Sequence, residues 1–247
     1  WLRWEARGGT GAAIGLGARL VTGARVRRLE TNAAGLVTGA TWLDRDGGEH
    51  FEPAKVVVLA ANAIGTSRLL LLSDSPAHRD GLANSSGLVG KRLMMHPFAN
   101  VGGLFDEDLE SWQGQFGCSI ESFEFYETDE RRGFVRGAKW GLAPTFGPIN
   151  AAMPSRAGTQ VWGPDHHLHV RSHLERGANW GLFGEDLPDE ANRVTLSSTL
   201  VDSSGIPAPE ITYQVSENSR RLLDFHIEKA TESPLAAGAY TVEVDRL

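Results

Sequence analysis

The stretch of this 247-residue chain that most constrains its fold runs Val56-Val57-Val58-Leu59-Ala60. Five consecutive apolar residues predict a strand buried on both faces, the kind a parallel sheet carries. Ala60, Ala61, Asn62 and Ala63 follow, and small side chains there let a large group approach the backbone closely. Thr66 or Ser67 is placed to cap a helix with body Arg68 to Leu72, and Asp74-Ser75-Pro76 ends it. Ligands in open α/β sheets sit at the carboxyl ends of strands, which is where this patch falls. On spacing alone, however, the pattern is that of any strand-to-helix crossover in an α/β protein.

The rest of the chain divides at His96-Pro97. Before it, Leu20 to Leu29 and Leu36 to Leu43 read as strands, with turns at Gly35 and Asp46-Gly47-Gly48 forming a small antiparallel excursion. Beyond it, Ser122 to Tyr126 and Phe134 to Trp140 alternate with period two around a turn at Thr128 to Arg131. Val194 to Leu200 and Pro209 to Val215 form a second pair around Asp202-Ser203-Ser204-Gly205. Both pairs are expected in one antiparallel sheet. Ser216 is placed to cap a helix whose Leu223, Ile227 and Ala230 fall on one face. The expected fold is α/β (α+β overall), with one region over residues 1–97 and an antiparallel region over residues 98–247.

Composition narrows the function. A net charge of -7 argues against a nucleic-acid partner, since such proteins are usually basic. No apolar run approaches the ~20 residues of a membrane span, and no signal peptide opens the chain. The single cysteine, Cys118, excludes an internal disulfide and leaves a cytoplasmic or a periplasmic location open. Trp1 is not an initiator methionine, and the chain closes just after strand-like Tyr240 to Val244. An interior piece of a longer protein is expected.

Several local patterns fall short of a site. Gly9-Thr10-Gly11-Ala12-Ala13-Ile14-Gly15 has no preceding strand and no β-α-β context, so it is not read as a dinucleotide loop. His166, His167, His169 and His173 are the densest polar cluster. The last two are four apart, but no H-E-x-x-H or paired-cysteine element accompanies them, and no metal is expected. There is no G-x-S-x-G. Cys118 reads as a half-buried structural thiol, and Gly90-Lys91 lacks the remainder of a phosphate loop.

A longer string carries more. Ala60-Ala61-Asn62-Ala63, Thr66-Ser67-Arg68-Leu69-Leu70-Leu71, Gly81-Leu82-Ala83-Asn84-Ser85-Ser86-Gly87-Leu88-Val89-Gly90 and Leu93-Met94-Met95-His96-Pro97 resemble the glucose-methanol-choline (GMC) oxidoreductases. Asn62 stands where that family usually has glycine, and Met95 where it has aspartate. A second block, Gly184-Glu185-Asp186-Leu187-Pro188 with Asn192-Arg193-Val194-Thr195-Leu196, is similar too, so the resemblance runs from about residue 20 to 230.

The resemblance implies FAD as cofactor, with part of a Rossmann-like FAD-binding domain over 1–97 and an antiparallel substrate domain over 98–247. It implies cofactor contacts at Val26, whose backbone lies beside the adenine, and at Ala60, Ala61 and Asn62. The implied reaction oxidises an alcohol or sugar CH–OH group to a carbonyl, with flavin accepting hydride and a histidine base taking the proton. A dehydrogenase similar to choline dehydrogenase is favoured over an oxidase, and no residue names the electron acceptor. In the family, the pyrophosphate loop and the base lie outside the matching stretch, so no catalytic residue is assigned here and the isolated chain is expected to be inactive. His96 is read as lining the cavity or the flavin's edge, or as a structural histidine that holds the junction of the two domains, and not as catalytic. The rival expectation is a non-catalytic carbohydrate or ligand-binding module that uses the seven tryptophans for stacking.

Overall fold

A computed structural model describes residues 10–113, 120–143, 147–153 and 162–246. In chain order the elements are helix α1 (Thr10–Gly15), strands β1 (Arg25–Thr31), β2 (Val37–Leu43) and β3 (Glu49–Pro53), helix α2 (Asn62–Leu72) and strands β4 (Phe98–Leu104), β5 (Ile120–Ser122) and β6 (Ala138–Ala143). Helices α3 (Pro148–Ala152) and α4 (His166–His173), strands β7 (Gly177–Gly184), β8 (Arg193–Val201) and β9 (Pro207–Thr212), helix α5 (Glu217–Ala236) and strand β10 (Thr241–Arg246) complete the list. They form two compact units, Trp1–Leu93 with Glu190–Thr212, and Met94–Asp189 with Tyr213–Leu247.

In the first unit, β1, β2 and β3 form an antiparallel sheet in that order. The turns fall at Gly35 and Gly47, where φ is +77° and +84°, a region that glycine enters without steric cost. The strand expected from Leu20 begins only at Arg25.

The stretch Val56 to Ala60 corrects a larger expectation. It lies in no strand, and Val56 and Val58 are 79% and 84% exposed. Only Val57 and Leu59 pack inward, against Leu29, Leu69 and Leu82. A two-sided strand needs neighbours on both edges, and among the described residues none pairs with it. All pairing within the described sheets is antiparallel.

Helix α2 starts four residues before Thr66. Asn62 takes φ +58°, and its Oδ1 accepts the Gly65 N–H at 2.9 Å, satisfying an amide that no carbonyl in the helix can reach. At the other end the buried Ser73 hydroxyl donates to Leu69 O (2.6 Å) and accepts from Leu29 N (2.9 Å). One side chain thereby ties the exit of α2 to β1. Arg68 fastens the same helix to the β8–β9 turn, with Nε on Pro207 O (2.8 Å) and Nη2 on Asp202 Oδ2 (2.9 Å) and Ile206 O (3.0 Å). Strands β8 and β9 pair only with each other among the named strands. The single sheet expected to contain them is therefore two sheets.

In the second unit the strand order is β10-β4-β7-β6-β5. Ala99, Val101, Trp140 and Leu182 pack with Leu222, Leu223 and Ala230 of α5 in one core. Ser216 caps α5 by accepting the Ser219 N–H (3.1 Å), as the sequence predicts. Strands β5 and β6 meet at Ser122 and Trp140, but Phe125 and Phe134 leave the ladder and pack against the core instead. At Gly103, a Cβ would lie 2.5 Å from Pro234 Cβ, so helix and strand approach closely only because that side chain is absent.

His226 of α5 is fully buried among Phe125, Phe134, Trp140 and Phe225. Trp140 Nε1 donates to its Nδ1 at 2.9 Å. An indole N–H is only a donor, so Nδ1 is unprotonated and the ring is neutral with its proton on Nε2. Burial, and secondarily the nearby Arg132 charge, lowers the His226 pKa to about 4.

Two predictions follow from this packing. Ser73→Ala orphans the Leu29 amide and the Leu69 carbonyl and costs about 1–3 kcal/mol in denaturant melts. A histidine held neutral in the fold contributes fully above its unfolded pKa of about 6.5, and this is lost as pH falls. Melting temperature should therefore drop from pH 7 to 5, and His226→Gln should flatten that slope.

Candidate functional site

A cavity of about 280 Å³ lies between β1 and one side of α2, lined by Ala24, Arg25, Val26, Ala61, Gly65, Arg68, Leu69 and Leu72. It brings together two of the four residues singled out from the sequence, Val26 and Ala61. Ala60 and Asn62 are exposed neighbours in the chain and do not line it.

Its walls follow from the elements that carry them. Strand β1 is an edge strand, so alternate backbone groups along it face away from β2. Its ladder to β2 shifts register between Val26 and Arg28. Ala61 and Gly65 keep the helix side low. A Cβ on Gly65 would sit 3.3 Å from Ala61 Cβ.

The glycine-to-asparagine departure at Asn62 has a physical reason. The backbone there is left-handed, which glycine adopts freely and asparagine tolerates better than most residues. Asparagine adds the bond to Gly65 N, which glycine would leave to water.

At this site two guanidiniums share one carboxylate. Arg68 is held by Asp202, and Arg25 Nη1 lies 3.7 Å from the same carboxylate. Burial pushes the Asp202 carboxyl up, but Arg68 and the Ser204 and Ile206 amides outweigh it and hold it below the ordinary carboxylate range. The cavity therefore presents apolar and small groups beside two guanidiniums held by one carboxylate. At 280 Å³ it lies just below the roughly 300–1,000 Å³ of small-molecule sites. A larger cavity of about 640 Å³, between the end of α2, the 74–91 loop and β8, contains none of the four residues.

Other sequence candidates resolve differently. His96 Nδ1 is 3.1 Å from Gly184 O. A carbonyl only accepts, so Nδ1 carries the proton and the imidazole holds a junction between chain segments within the second unit. The Gly184 to Pro188 block clasps the start of α5. Asp186, buried, accepts from Ser219 Oγ (2.7 Å), Tyr213 Oη (2.6 Å) and Leu187 N (2.9 Å). Burial and that carboxylate push the Tyr213 pKa up. Residues 1–9 and Cys118 lie outside the described residues. Among the described residues, no group of three or more His, Cys, Asp or Glu is arranged to hold a metal ion, and no helix is long and apolar enough to cross a membrane. Sequence reading missed Arg68 and Asp202, which are 134 residues apart and carry no joint spacing signal.

No family model matches the chain. It is 43% identical over 230 residues, 92% of its length, to 2-methyl-1,2-propanediol dehydrogenase of Mycolicibacterium austroafricanum. It is 32% identical over 235 residues to the fructose dehydrogenase large subunit of Gluconobacter japonicus. Over 117 residues it is 36% identical to a GMC-type oxidoreductase of Mycobacterium tuberculosis. The chain belongs to the GMC oxidoreductases. It spans 42% of the length of each of the first two relatives. The fold is also similar to that of a solved structure, an Aspergillus oryzae formate oxidase studied for FAD modification, at 16% identity with a TM-score of 0.51 over 87% of this chain. The matched share of that structure is 43%.

The site gives two tests. Asn62→Gly should change stability by only a few tenths of a kcal/mol, whereas Asn62→Val, β-branched at positive φ, should cost about 1–3 kcal/mol. Arg68→Met should release the β8–β9 ribbon, read as faster amide exchange at Ile206 and nearby residues, with β4 and β7 unchanged.

Proposed function

We propose that this chain forms part of an FAD-dependent GMC oxidoreductase that oxidises an alcohol or sugar CH–OH group, and that the cavity between β1 and α2 receives the adenine end of FAD. The observation that carries the cofactor assignment is the meeting of Val26 and Ala61 in one cavity, from positions 35 residues apart in the sequence. Bound flavin supplies the hydride acceptor. The chain's own residues do the holding. The free edge of β1 at Val26 offers backbone groups to the heterocycle, Leu69 and Leu72 give it an apolar wall, and Ala61 with Gly65 leaves the room. Asn62 sets the helix start, and Arg68 is kept from competing for solvent by Asp202.

The substrate side is assigned to the sheet of the second unit. A diol and a hexose are the substrates in the names of two relatives, which supports a small polyol or sugar. Those relatives are dehydrogenases, which supports a dehydrogenase over an oxidase, with an electron acceptor other than oxygen. A free-standing binding module finds no support among the relatives reported above.

The test is flavin content. Ala61→Phe in the full-length protein should fill the cavity and lower bound FAD, read from absorbance near 450 nm (about the flavin maximum) per folded protein. Val89→Phe, in the larger cavity, should leave it unchanged. Full flavin in Ala61→Phe with an unchanged melting profile would overturn the adenine assignment.

A further inference from the structure

Helix α4 is held in an unusual way. None of its residues is fully buried, and Leu168 is 64% exposed, so among the described residues Val170 is its one half-buried aliphatic side chain. Its neighbour α3 brings no charged side chain to it. Its charged contact to the sheet is through histidine.

The ring centroids of His169 and His173 lie 4.0 Å apart, the i, i+4 spacing of one helix face. His173 Nδ1 is 2.9 Å from His169 O and 2.9 Å from Ser172 Oγ. The carbonyl only accepts, so Nδ1 carries a proton in either charge state of the ring. Nε2 then faces Glu243 Oε1 of β10 at 3.6 Å. As a lone pair it would oppose a carboxylate, and as N–H⁺ it completes an ion pair. His169 Nε2 is buried with no hydrogen-bond partner among the described residues, so a second proton there would sit unpaired against the first imidazolium.

We propose that α4 is a pH-operated latch on β10, closed while His173 is an imidazolium facing Glu243 and His169 is neutral, and opened when His173 loses its proton or His169 gains one. On α4 itself the exposed Arg171 lies between the two members of the pair. Glu243 faces it from β10, with Asp245 two residues on along the same face of that strand. His166 lies a turn away on α4, stacked on Trp162 at 5.0 Å. Strands β4 and β7 bring the neutral, mutually bonded Asn100 and Asn179 to that face of the sheet.

The two rings are pushed in opposite directions. The Glu243 bond raises the His173 pKa against the opposing effect of burial, whereas burial and then the His173 charge lower that of His169. A raised histidine contributes fully below the unfolded value of about 6.5 and loses this as pH rises through its folded pKa. A lowered one contributes fully above about 6.5 and loses this as pH falls. Closure is therefore strongest near pH 6.5 and weakens on both sides.

The test is hydrogen exchange of the full-length protein from pH 5 to 8.5, with α4 amides referenced to β7 amides in the same sample to cancel global effects. Relative protection of α4 should peak near pH 6.5 and fall by up to about tenfold for each unit of pKa shift on either side. Glu243→Gln should abolish the alkaline limb, and His169→Gln the acid limb alone. A wild-type profile that is flat relative to β7 would overturn the proposal without recourse to any variant. So would a Glu243→Gln profile that keeps both limbs.

Discussion

The Ser73 hydroxyl, bonded at once to the Leu69 carbonyl and the Leu29 amide, fixes where α2 ends relative to β1. The first unit depends on that placement. With Arg68 gripping the β8–β9 turn from the same helix, α2 cannot slide along β1 without breaking buried bonds, each worth about 1–3 kcal/mol when one partner is left unmade. The cavity beside Val26 is the space left by this fixed spacing, because Ala61 and Gly65 occupy the positions where larger residues would close it.

The second unit is built on a different balance. Its sheet and α5 close on apolar surface, and the approach is tightest where Gly103 meets Pro234. Its polar groups are then handled individually. Asp186 gathers three donors at the start of α5. His226 is kept neutral by burial with an indole donor on one nitrogen. The α4 histidines, by contrast, lie on a helix with no fully buried residue, and on the latch proposal their charge decides how that helix is held. Buried and half-buried histidine thus play opposite parts in one unit, one fixed in charge and one free to change it.

Much of this could be read from the residues. The excursion over β1 to β3 shows through its turn glycines, the β8–β9 pair through Asp202 to Gly205, and α5 through its Ser216 cap and apolar face. The family was legible because the segment around Ala61 and the segment around Asn84 match together. Less visible was anything that depends on a partner distant in sequence. Val56 to Ala60 has the composition of a central strand, yet composition does not supply neighbours, and without them the run packs on one side only. Phe125 and Phe134 alternate like strand residues but gain more by surrounding His226. Ser73, Arg68 and Asp202 are ordinary residue types whose roles exist only once α2 is in place. At the candidate site, Val26 and Ala61 were reachable through the resemblance, and the left-handed backbone that explains Asn62 was not.

On the proposed reading, the edge of β1 and the start of α2 together receive the adenine end of the cofactor. Hydrogen exchange of the full-length protein, with and without FAD, tests this most directly at residues 24–29 and 59–66. The account predicts that FAD slows exchange in both segments together, and that the adenine nucleotide alone protects the same amides more weakly. Protection by FAD that leaves both segments unchanged would contradict it.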